Sequence, residues 1–100
     1  MSVASLDVIF LENIAKMLLK HKFYPLAAQR LKQVGTVLLE IEISRSGHIV
    51  SKRVINSSGF PILDNAAMES LENLGKFPPF PETISANSKK LRLPFRYSLN

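Results

Sequence analysis

The segment TVLLEIEIS, residues 36–44, carries the strongest structural signal in this sequence. Apolar residues alternate in it with a second set that contains two glutamates. The apolar set is Val37, Leu39, Ile41 and Ile43. Such alternation predicts a β-strand over Thr36–Ser44 with one face in the core and the other in water, as in an antiparallel sheet that is covered on one side.

The residues that follow predict a hairpin and a return strand. Gly47, in the turn 45–47, can adopt a positive φ without steric cost. His48–Asn56 then forms a second strand. Its apolar residues Ile49 and Val54 differ in parity, which indicates a β-bulge or a strong twist.

Two helices are predicted before the first strand. Leu6–Lys20 has apolar residues at three- and four-residue steps, which is typical of an amphipathic helix. These residues are Phe10, Leu11, Ile14, Met17 and Leu18. Tyr24-Pro25 begins a shorter helix that runs to about Gln33, and we expect Ala28 and Leu31 to face inward.

A third helix and a last strand complete the fold. Leu63–Leu74 is predicted to be helical and to end at Gly75. The segment Phe77–Pro81 cannot be helix or central strand, and we expect its phenylalanines to anchor it in the core. Alternation resumes in Leu91–Leu99. The sequence therefore predicts an α+β, two-layer domain in which a three-stranded antiparallel sheet carries helices packed on one face.

Length and composition predict one folded domain. The chain has 100 residues, of which 46% are hydrophobic and 21% are charged, and this suffices for a modest core. We expect residues 1–100 to form a single domain, with a helical extension at 1–22 and a core at 23–100. No apolar run approaches the roughly 20 residues of a membrane span, and residues 1–10 do not resemble a signal peptide. Met1-Ser2 resembles an expression start, which would make the chain a fragment.

Few residues offer catalytic chemistry. The sequence has no cysteine, and its two histidines, His21 and His48, have no partner nearby in the sequence. Asp64 fits a helix start, where a carboxylate interacts well with the helix dipole. Neither metal-ligand spacing nor a phosphate-binding loop is present. We therefore expect a binding module that is not an enzyme and needs no cofactor or metal.

Several short motifs, in their order, resemble the C-terminal domain family of TonB proteins. They are Tyr24-Pro25 with Ala28, Gly35-Thr36-Val37, Ser46-Gly47-His48-Ile49, Ser57-Ser58-Gly59, Leu63-Asp64-x-Ala66-Ala67, Phe77-Pro78-Pro79-Phe80-Pro81 and Leu93-Pro94-Phe95-x-Tyr97. The resemblance covers about Tyr24–Tyr97. Two positions depart from the family pattern. Lys52 stands where the second strand is usually apolar, and Lys22-Phe23 stands where well-known members have Gln-Pro.

The resemblance implies a role in the envelope of a Gram-negative bacterium. It implies a periplasmic domain of a protein that is anchored in the inner membrane by a segment absent from this chain. Such a domain captures the TonB box of outer-membrane transporters for siderophores, haem, cobalamin or metals. ExbB and ExbD, acting through the absent N-terminal part, couple it to the proton motive force. TonB-like fragments can exchange strands, so we expect a monomer or a strand-exchanged dimer.

Pro94 predicts how the TonB box would bind. Proline has no N–H for a ladder, so we expect the last strand at the sheet edge with the missing donor facing outward. The backbone groups of Arg92 and Arg96 then face outward as well, and a TonB box can dock as an added strand along Arg92–Ser98. The predicted partner-binding residues are Arg92, Pro94, Phe95, Arg96, Tyr97 and Ser98, with Tyr24 and Pro25 of the opening motif.

Two other functions stay open from the sequence. A TolA-like envelope domain with other partners is a near rival, although the glycine and proline motifs favour TonB. The net charge of +5 and the pI of about 9.8 would suit nucleic acid. However, the basic residues follow no recognition helix or aromatic platform, so we expect no nucleic-acid partner.

Overall fold

The computed structural model describes residues 3–82 and 84–99, with side chains described from residue 9 onward. In chain order the elements are α1 Val3–His21, α2 Leu26–Arg30, β1 Gly35–Ser44, β2 Ile49–Asn56, α3 Pro61–Leu74 and β3 Ser88–Tyr97. The predicted order and the α+β class are confirmed. Met1-Ser2, interpreted above as an expression start, lies outside the described residues.

β1 is the central strand of an antiparallel sheet with the order β2-β1-β3. Its inward side chains are fully buried in one cluster with residues of α1 and α3. They are Val37, Leu39, Ile41 and Ile43, as predicted. β3 pairs with β1 residue for residue along its whole length, from Ser88 opposite Ser44 to Tyr97 opposite Gly35.

β2 pairs with β1 less regularly than β3 does. The register shifts twice, so that Val50 and Ile55 have no partner in β1. The bulge at Val50 lies between Ile49 and Val54 and explains the parity mismatch seen in the sequence. Lys52 lies on the helix side of the sheet, where its Nζ is 3.0 Å from Oε1 of Glu72 in α3. This ion pair explains how a lysine can stand at a position that is usually apolar.

α1 and α3 supply the other half of the core. Their buried residues include Phe10, Ile14 and Leu18 from α1 and Leu63, Ala67 and Leu71 from α3. Burial of each large apolar side chain favours folding by about 1.5–3 kcal/mol. Leu11, predicted to be part of the inward stripe, is 42% exposed. It lies about 100° around the helix from Phe10, at the margin of that stripe.

α2 is shorter than predicted and ends at Arg30 rather than near Gln33. Lys32 adopts a left-handed φ of 54°, which breaks the helix before Gly35 is reached. Ala28 is buried as predicted, but the inward position predicted for Leu31 is wrong. Leu31 is 65% exposed, because it follows the last helical residue and no longer continues the buried stripe.

The segment after α3 is held against the β1–β2 turn. Phe77 N–H donates to the Gly47 carbonyl and Phe80 N–H to the Arg45 carbonyl, both at 2.9 Å. Both phenylalanines are buried, as predicted. Gly47 has a φ of 94°, and a Cβ atom there would lie 2.0 Å from the Phe77 carbonyl oxygen. The turn therefore needs glycine both for its φ and for this close approach.

Asp64 fixes the loop that joins β2 to α3. Its carboxylate accepts hydrogen bonds from the Ser57 hydroxyl and from the Ser58 N–H and hydroxyl, the last two at 2.9 and 2.8 Å. Burial raises the pKa of the Asp64 carboxyl, but these hydrogen bonds outweigh burial and hold the pKa below its usual value. Asp64 is therefore a structural carboxylate near the start of α3.

Candidate peptide-binding edge

Two backbone hydrogen bonds fix which groups of β3 face its partner strand. Ser44 N–H donates to the His48 carbonyl on the β2 side at 2.9 Å, and Arg45 N–H donates to the Asn87 carbonyl on the β3 side at 2.8 Å. Because direction alternates along a strand, the odd-numbered residues of β1 bond to β3. Their partners include Leu93 and Phe95, whose backbone groups therefore face inward.

The residues between these partners turn their backbone groups to the open edge. Arg92, Pro94 and Arg96 lie opposite even-numbered residues of β1, which bond to β2 instead. Pro94 thus has its missing donor at the open edge and offers only its carbonyl there. Arg92 and Arg96 offer N–H and C=O groups, and the side chains of all three residues are exposed.

Phe95 and Tyr97, predicted as partner-binding residues, have their side chains in the core. They are 3% and 1% exposed, so neither side chain is available to a ligand. Burial raises the pKa of Tyr97 to about 12. The phenol oxygen has no hydrogen-bond partner among the described residues. The two aromatic residues therefore position β3, and Ser98 lies just beyond its end.

A groove runs between α1 and the open edge of β3. It has a volume of about 220 Å³ and a largely apolar lining. The lining residues are Ala15, Leu18, Leu19 and Lys22 from α1 and Leu93–Arg96 from β3. We call this feature the α1 groove. Because the groove adjoins the outward backbone groups of β3, any strand added to this edge would lie along it.

Lys22 connects the end of α1 to the end of β3. Its Nζ donates to the outward-facing Arg96 carbonyl at 2.6 Å and lies 5.4 Å from the centroid of the Tyr97 ring. The Arg96 carbonyl is thus occupied by a lysine ammonium, whereas the Arg96 N–H faces the open edge. An incoming strand that reached this carbonyl would have to replace Lys22.

Tyr24 and Pro25 lie near the same end of β3, but their contacts are with residues of the domain and not with the α1 groove. The Tyr24 ring packs edge-on against Tyr97 at 5.0 Å, and its hydroxyl donates to the Gln33 carbonyl. The Pro25 carbonyl accepts from Gln29 N–H at 3.1 Å in α2. Neither residue lines the α1 groove.

The uncovered face of the sheet carries a charge cluster around Glu40. Its carboxylate accepts from Arg53 at 2.9 Å and lies 3.6 Å from Arg92 Nε. The hydrogen bond from Arg53, with help from the charges of Arg53 and Arg92, lowers the pKa of Glu40 despite the opposing effect of desolvation. Arg92 is therefore partly neutralised within the domain.

Sequence reasoning missed the contribution of α1 to this site. Lys22 was noted only as a departure from the family motif, and Ala15 and Leu19 were not assigned to any surface. A signal was present, because Leu11, Ala15 and Leu19 follow one another at four-residue steps beside the core-facing stripe. Such a second apolar stripe favours a contact beyond the core.

Across residues 3–82 and 84–99, no group of three or more His, Asp or Glu side chains could hold a metal ion. None of the helices described is long and apolar enough to cross a membrane.

Comparison with known proteins identifies relatives over most of the chain. Residues 20–99 match the family described as Gram-negative bacterial TonB protein C-terminal. The TonB protein of Neisseria meningitidis serogroup C is 35% identical over 78 residues, which cover 77% of this chain. That of Pasteurella multocida is 36% identical over 62 residues, or 62% of this chain. The matched parts span only 25% and 24% of these relatives.

Solved structures show the same fold. The solution structure of the Helicobacter pylori TonB C-terminal domain aligns with a TM-score of 0.77 and 30% identity, covering 91% of this chain and 81% of that one. The HasB C-terminal domain aligns with a TM-score of 0.58 and 27% identity, covering 90% of this chain and 70% of that one.

Proposed function

Since this chain belongs to the family of TonB C-terminal domains, we propose that it captures the TonB box of outer-membrane transporters by adding the box as a strand to β3. It acts as a binding module of an energy transducer and performs no covalent chemistry. The observation that carries this proposal is the direction in which the backbone groups of alternate β3 residues point, which is toward the open edge of the sheet. Its edge presents the backbone groups of Arg92 and Arg96 and the carbonyl of Pro94 in one row.

The roles of the predicted residues differ in this proposal. Arg92, Pro94, Arg96 and Ser98 meet the box through backbone groups. Phe95 and Tyr97 hold β3 in place from the core, and Tyr24 supports Tyr97. Pro25 contributes only by opening α2 behind Tyr24. Recognition through the backbone demands little of the partner's sequence, which suits a domain that serves several transporters.

The cellular setting of the proposal follows the family. The domain lies in the periplasm, and a part of the whole protein outside this chain anchors it in the inner membrane. That part receives energy from ExbB and ExbD, and the domain passes it to transporters for siderophores, haem, cobalamin or metals. The relatives are about four times as long as their matched parts, which leaves room for such segments.

Amide hydrogen exchange tests the binding mode at single residues. The probe is a synthetic peptide that spans the TonB box of a transporter encoded in the same genome. We expect it to slow exchange at the Arg92 and Arg96 amides, which face the open edge in the free domain. Leu93 and Phe95 already bond to β1 and should change little.

A second peptide provides the control. It has the same length, but proline replaces the residue at every second position, so that it cannot complete a ladder. Protection of Arg92 and Arg96 by both peptides, or protection confined to α1 or β2, would contradict strand addition at β3.

A further inference from the structure

Exposed apolar side chains are concentrated at the end of the domain that carries α2. Four of them project from residues 23–34, where Phe23 is 40%, Leu26 58%, Leu31 65% and Val34 46% exposed. Isolated apolar residues are common on protein surfaces, but a cluster of this kind marks a contact with another surface. None of the four lines the α1 groove, so strand addition at β3 does not account for them.

Hydrogen bonds hold this segment as a compact loop. The Tyr24 hydroxyl donates to the Gln33 carbonyl at 2.5 Å, which joins the two ends of the loop. The Gln29 side chain donates to the Tyr24 carbonyl at 2.9 Å. Phe23 N–H donates to Ser70 Oγ in α3 at 2.7 Å and ties the loop to the rest of the domain. The loop is therefore preorganised, and its exposed side chains stay close together.

The exposed residues of α2 point away from the core. Ala28 is fully buried, and Leu26, two residues before it, lies about 160° away around the helix. Arg30 is four residues after Leu26 and shares this outer side. Leu31 follows the last helical residue and stands between Arg30 and Lys32, which are both exposed. We call the four exposed apolar residues, together with Arg30 and Lys32, the α2 face.

The charges around the α2 face are positive. Residues 13–39 contain five lysines and arginines and neither aspartate nor glutamate. Arg30 and Lys32 take part in none of the ion pairs that the described residues form. Arg96 adds a charge at the same end of the sheet, since it lies opposite Thr36 at the start of β1. An anionic partner is therefore favoured.

The order Arg30-Leu31-Lys32 favours a lipid surface over an acidic protein. A protein interface that buried Leu31 would also desolvate the cations on both sides, which is unfavourable unless two acids are placed to match them. In a bilayer, lipid phosphates lie just outside the acyl chains and move in the membrane plane. Leu31 can therefore enter the acyl boundary while both cations stay at the level of the phosphates.

We propose that the α2 face binds the surface of a membrane that contains anionic lipids. Its apolar side chains enter the boundary of the acyl region, and Arg30 and Lys32 bind lipid phosphates. The contact is shallow and reversible, because few apolar side chains and few cations take part. The inference goes beyond the proposed function, since the contact uses none of the outward backbone groups of β3.

Vesicle sedimentation tests the proposal. The probes are vesicles of phosphatidylcholine with about one third phosphatidylglycerol, and vesicles of phosphatidylcholine alone. We expect the domain to bind the anionic vesicles about tenfold or more tightly than the neutral ones, and to lose most of this preference at high salt. Equal binding to both kinds of vesicle, or binding to neither, would overturn the proposal.

Protein variants assign the binding to the α2 face. Leu31→Ser should weaken binding to the anionic vesicles about tenfold, because it removes an inserted side chain. The double variant Arg30→Gln with Lys32→Gln should weaken it about tenfold or more, because it removes two phosphate contacts. Far-ultraviolet circular dichroism of each variant checks that the fold is intact.

Matched controls carry the same kinds of change elsewhere on the surface. Val50→Ser removes an apolar side chain that is 61% exposed on β2, close to the 65% of Leu31. The double variant Lys76→Gln with Lys90→Gln removes two exposed charges near the other end of β1, where Lys76 bridges to His48 and Lys90 lies opposite Glu42. Both controls should keep most of the affinity for anionic vesicles.

The outcomes separate a local contact from a general effect of charge. Equal losses in the two double variants would show that net charge alone attracts the vesicles, and would overturn the inference. Unchanged binding in folded Leu31→Ser would overturn the insertion of apolar side chains. Retention on insoluble peptidoglycan but not on vesicles would assign the α2 face to a glycan polymer and overturn the lipid contact.

The inference can fail or stand independently of strand addition. The double variant Arg30→Gln with Lys32→Gln should bind a TonB-box peptide as the unchanged domain does, because neither side chain lines the α1 groove. Vesicle binding in a domain that does not bind the peptide would support the membrane contact and contradict only the proposed function.

Discussion

The two edge strands of the sheet differ in how readily each can accept another strand. β3 pairs with β1 residue for residue over Ser88–Tyr97, so its outward groups form an even row. β2 contains bulges at Val50 and Ile55, which break the row. The start of β2 is also covered, because His48 forms a bridge with Lys76 from the segment after α3.

This difference shows how one sheet can keep one edge closed and the other available. Bulges and covering segments are the usual means by which proteins protect an edge from unwanted pairing. At β3, protection is limited to the missing donor of Pro94 and to the Lys22 ammonium on the Arg96 carbonyl. Both leave most of the row free, so β3 is the edge on which selective strand addition is expected.

The largest expected effect comes from placing a second proline in β3. Phe95→Pro removes an inward hydrogen bond to Val37 and a buried ring, and should lower the free energy of unfolding by more than about 5 kcal/mol. Arg96→Pro removes only an outward donor and should leave the domain folded. Urea denaturation of both variants measures the difference.

The same pair of sites tests the binding edge. Arg96→Pro should weaken binding of a TonB-box peptide about tenfold, since it removes one of the outward donors. Arg96→Ala is the matched control, because it removes the charge and keeps the N–H. Unchanged affinity in a folded Arg96→Pro protein would mean that the peptide does not bind along β3.

Truncating a buried side chain of the central strand β1 should destabilise the whole sheet, including both edge strands. Leu39→Ala removes a fully buried side chain and should lower the free energy of unfolding by about 2–5 kcal/mol. Glu42→Ala, on the uncovered face, should lower it by less than about 1 kcal/mol. Denaturant midpoints in the reverse order would mean that the two faces of β1 have been assigned wrongly.

The closed edge can be loosened at the β1–β2 turn. Gly47→Ala places a methyl group against the Phe77 carbonyl at a positive φ and should lower the free energy of unfolding by about 3 kcal/mol. Gly59→Ala has a similar φ of 92° but open space around it, so about 1 kcal/mol is expected. Faster amide exchange at Phe77 and Phe80 should accompany the Gly47 change alone. Equal losses at the two sites would show that φ, and not the close approach, dominates.

A small effect is expected at the loop after β2, and this effect depends on pH. The pKa of Asp64 lies below its usual value in the folded domain, so its ionised form stabilises the fold. That contribution is complete above the unfolded pKa of about 3.9 and disappears as pH falls through the lower folded pKa. At pH 7, Asp64→Asn should lower the free energy of unfolding by about 1 kcal/mol.

Thermal melts of the wild type and Asp64→Asn at several pH values test this linkage. The difference between them should be constant between neutral pH and about pH 5 and shrink below about pH 4. A difference that persists unchanged at pH 2 would mean that the carboxylate charge is not what holds Ser57 and Ser58.

Much of the fold follows from local patterns in the sequence. The alternation of Val37 to Ile43 predicts the central strand, because side chains of a strand point to alternate faces whatever lies around them. Pro94 predicts an edge strand and also predicts which of its backbone groups face the open edge, because the missing N–H is a property of the residue itself. The end of α2 was placed wrongly, since Lys32 adopts a left-handed φ that lysine rarely takes and that no local pattern predicts.

The candidate site divides in the same way. The sequence by itself determined the family, the strand at which we propose binding and the alternation of its residues. Only the tertiary structure decided that α1 lies beside β3 and that Lys22 bonds to Arg96, 74 residues away in the sequence. It likewise decided that Lys52 pairs with Glu72 of α3. Periodicity fixes which face of an element is apolar, but which neighbour that face meets depends on how all the elements pack around the shared core.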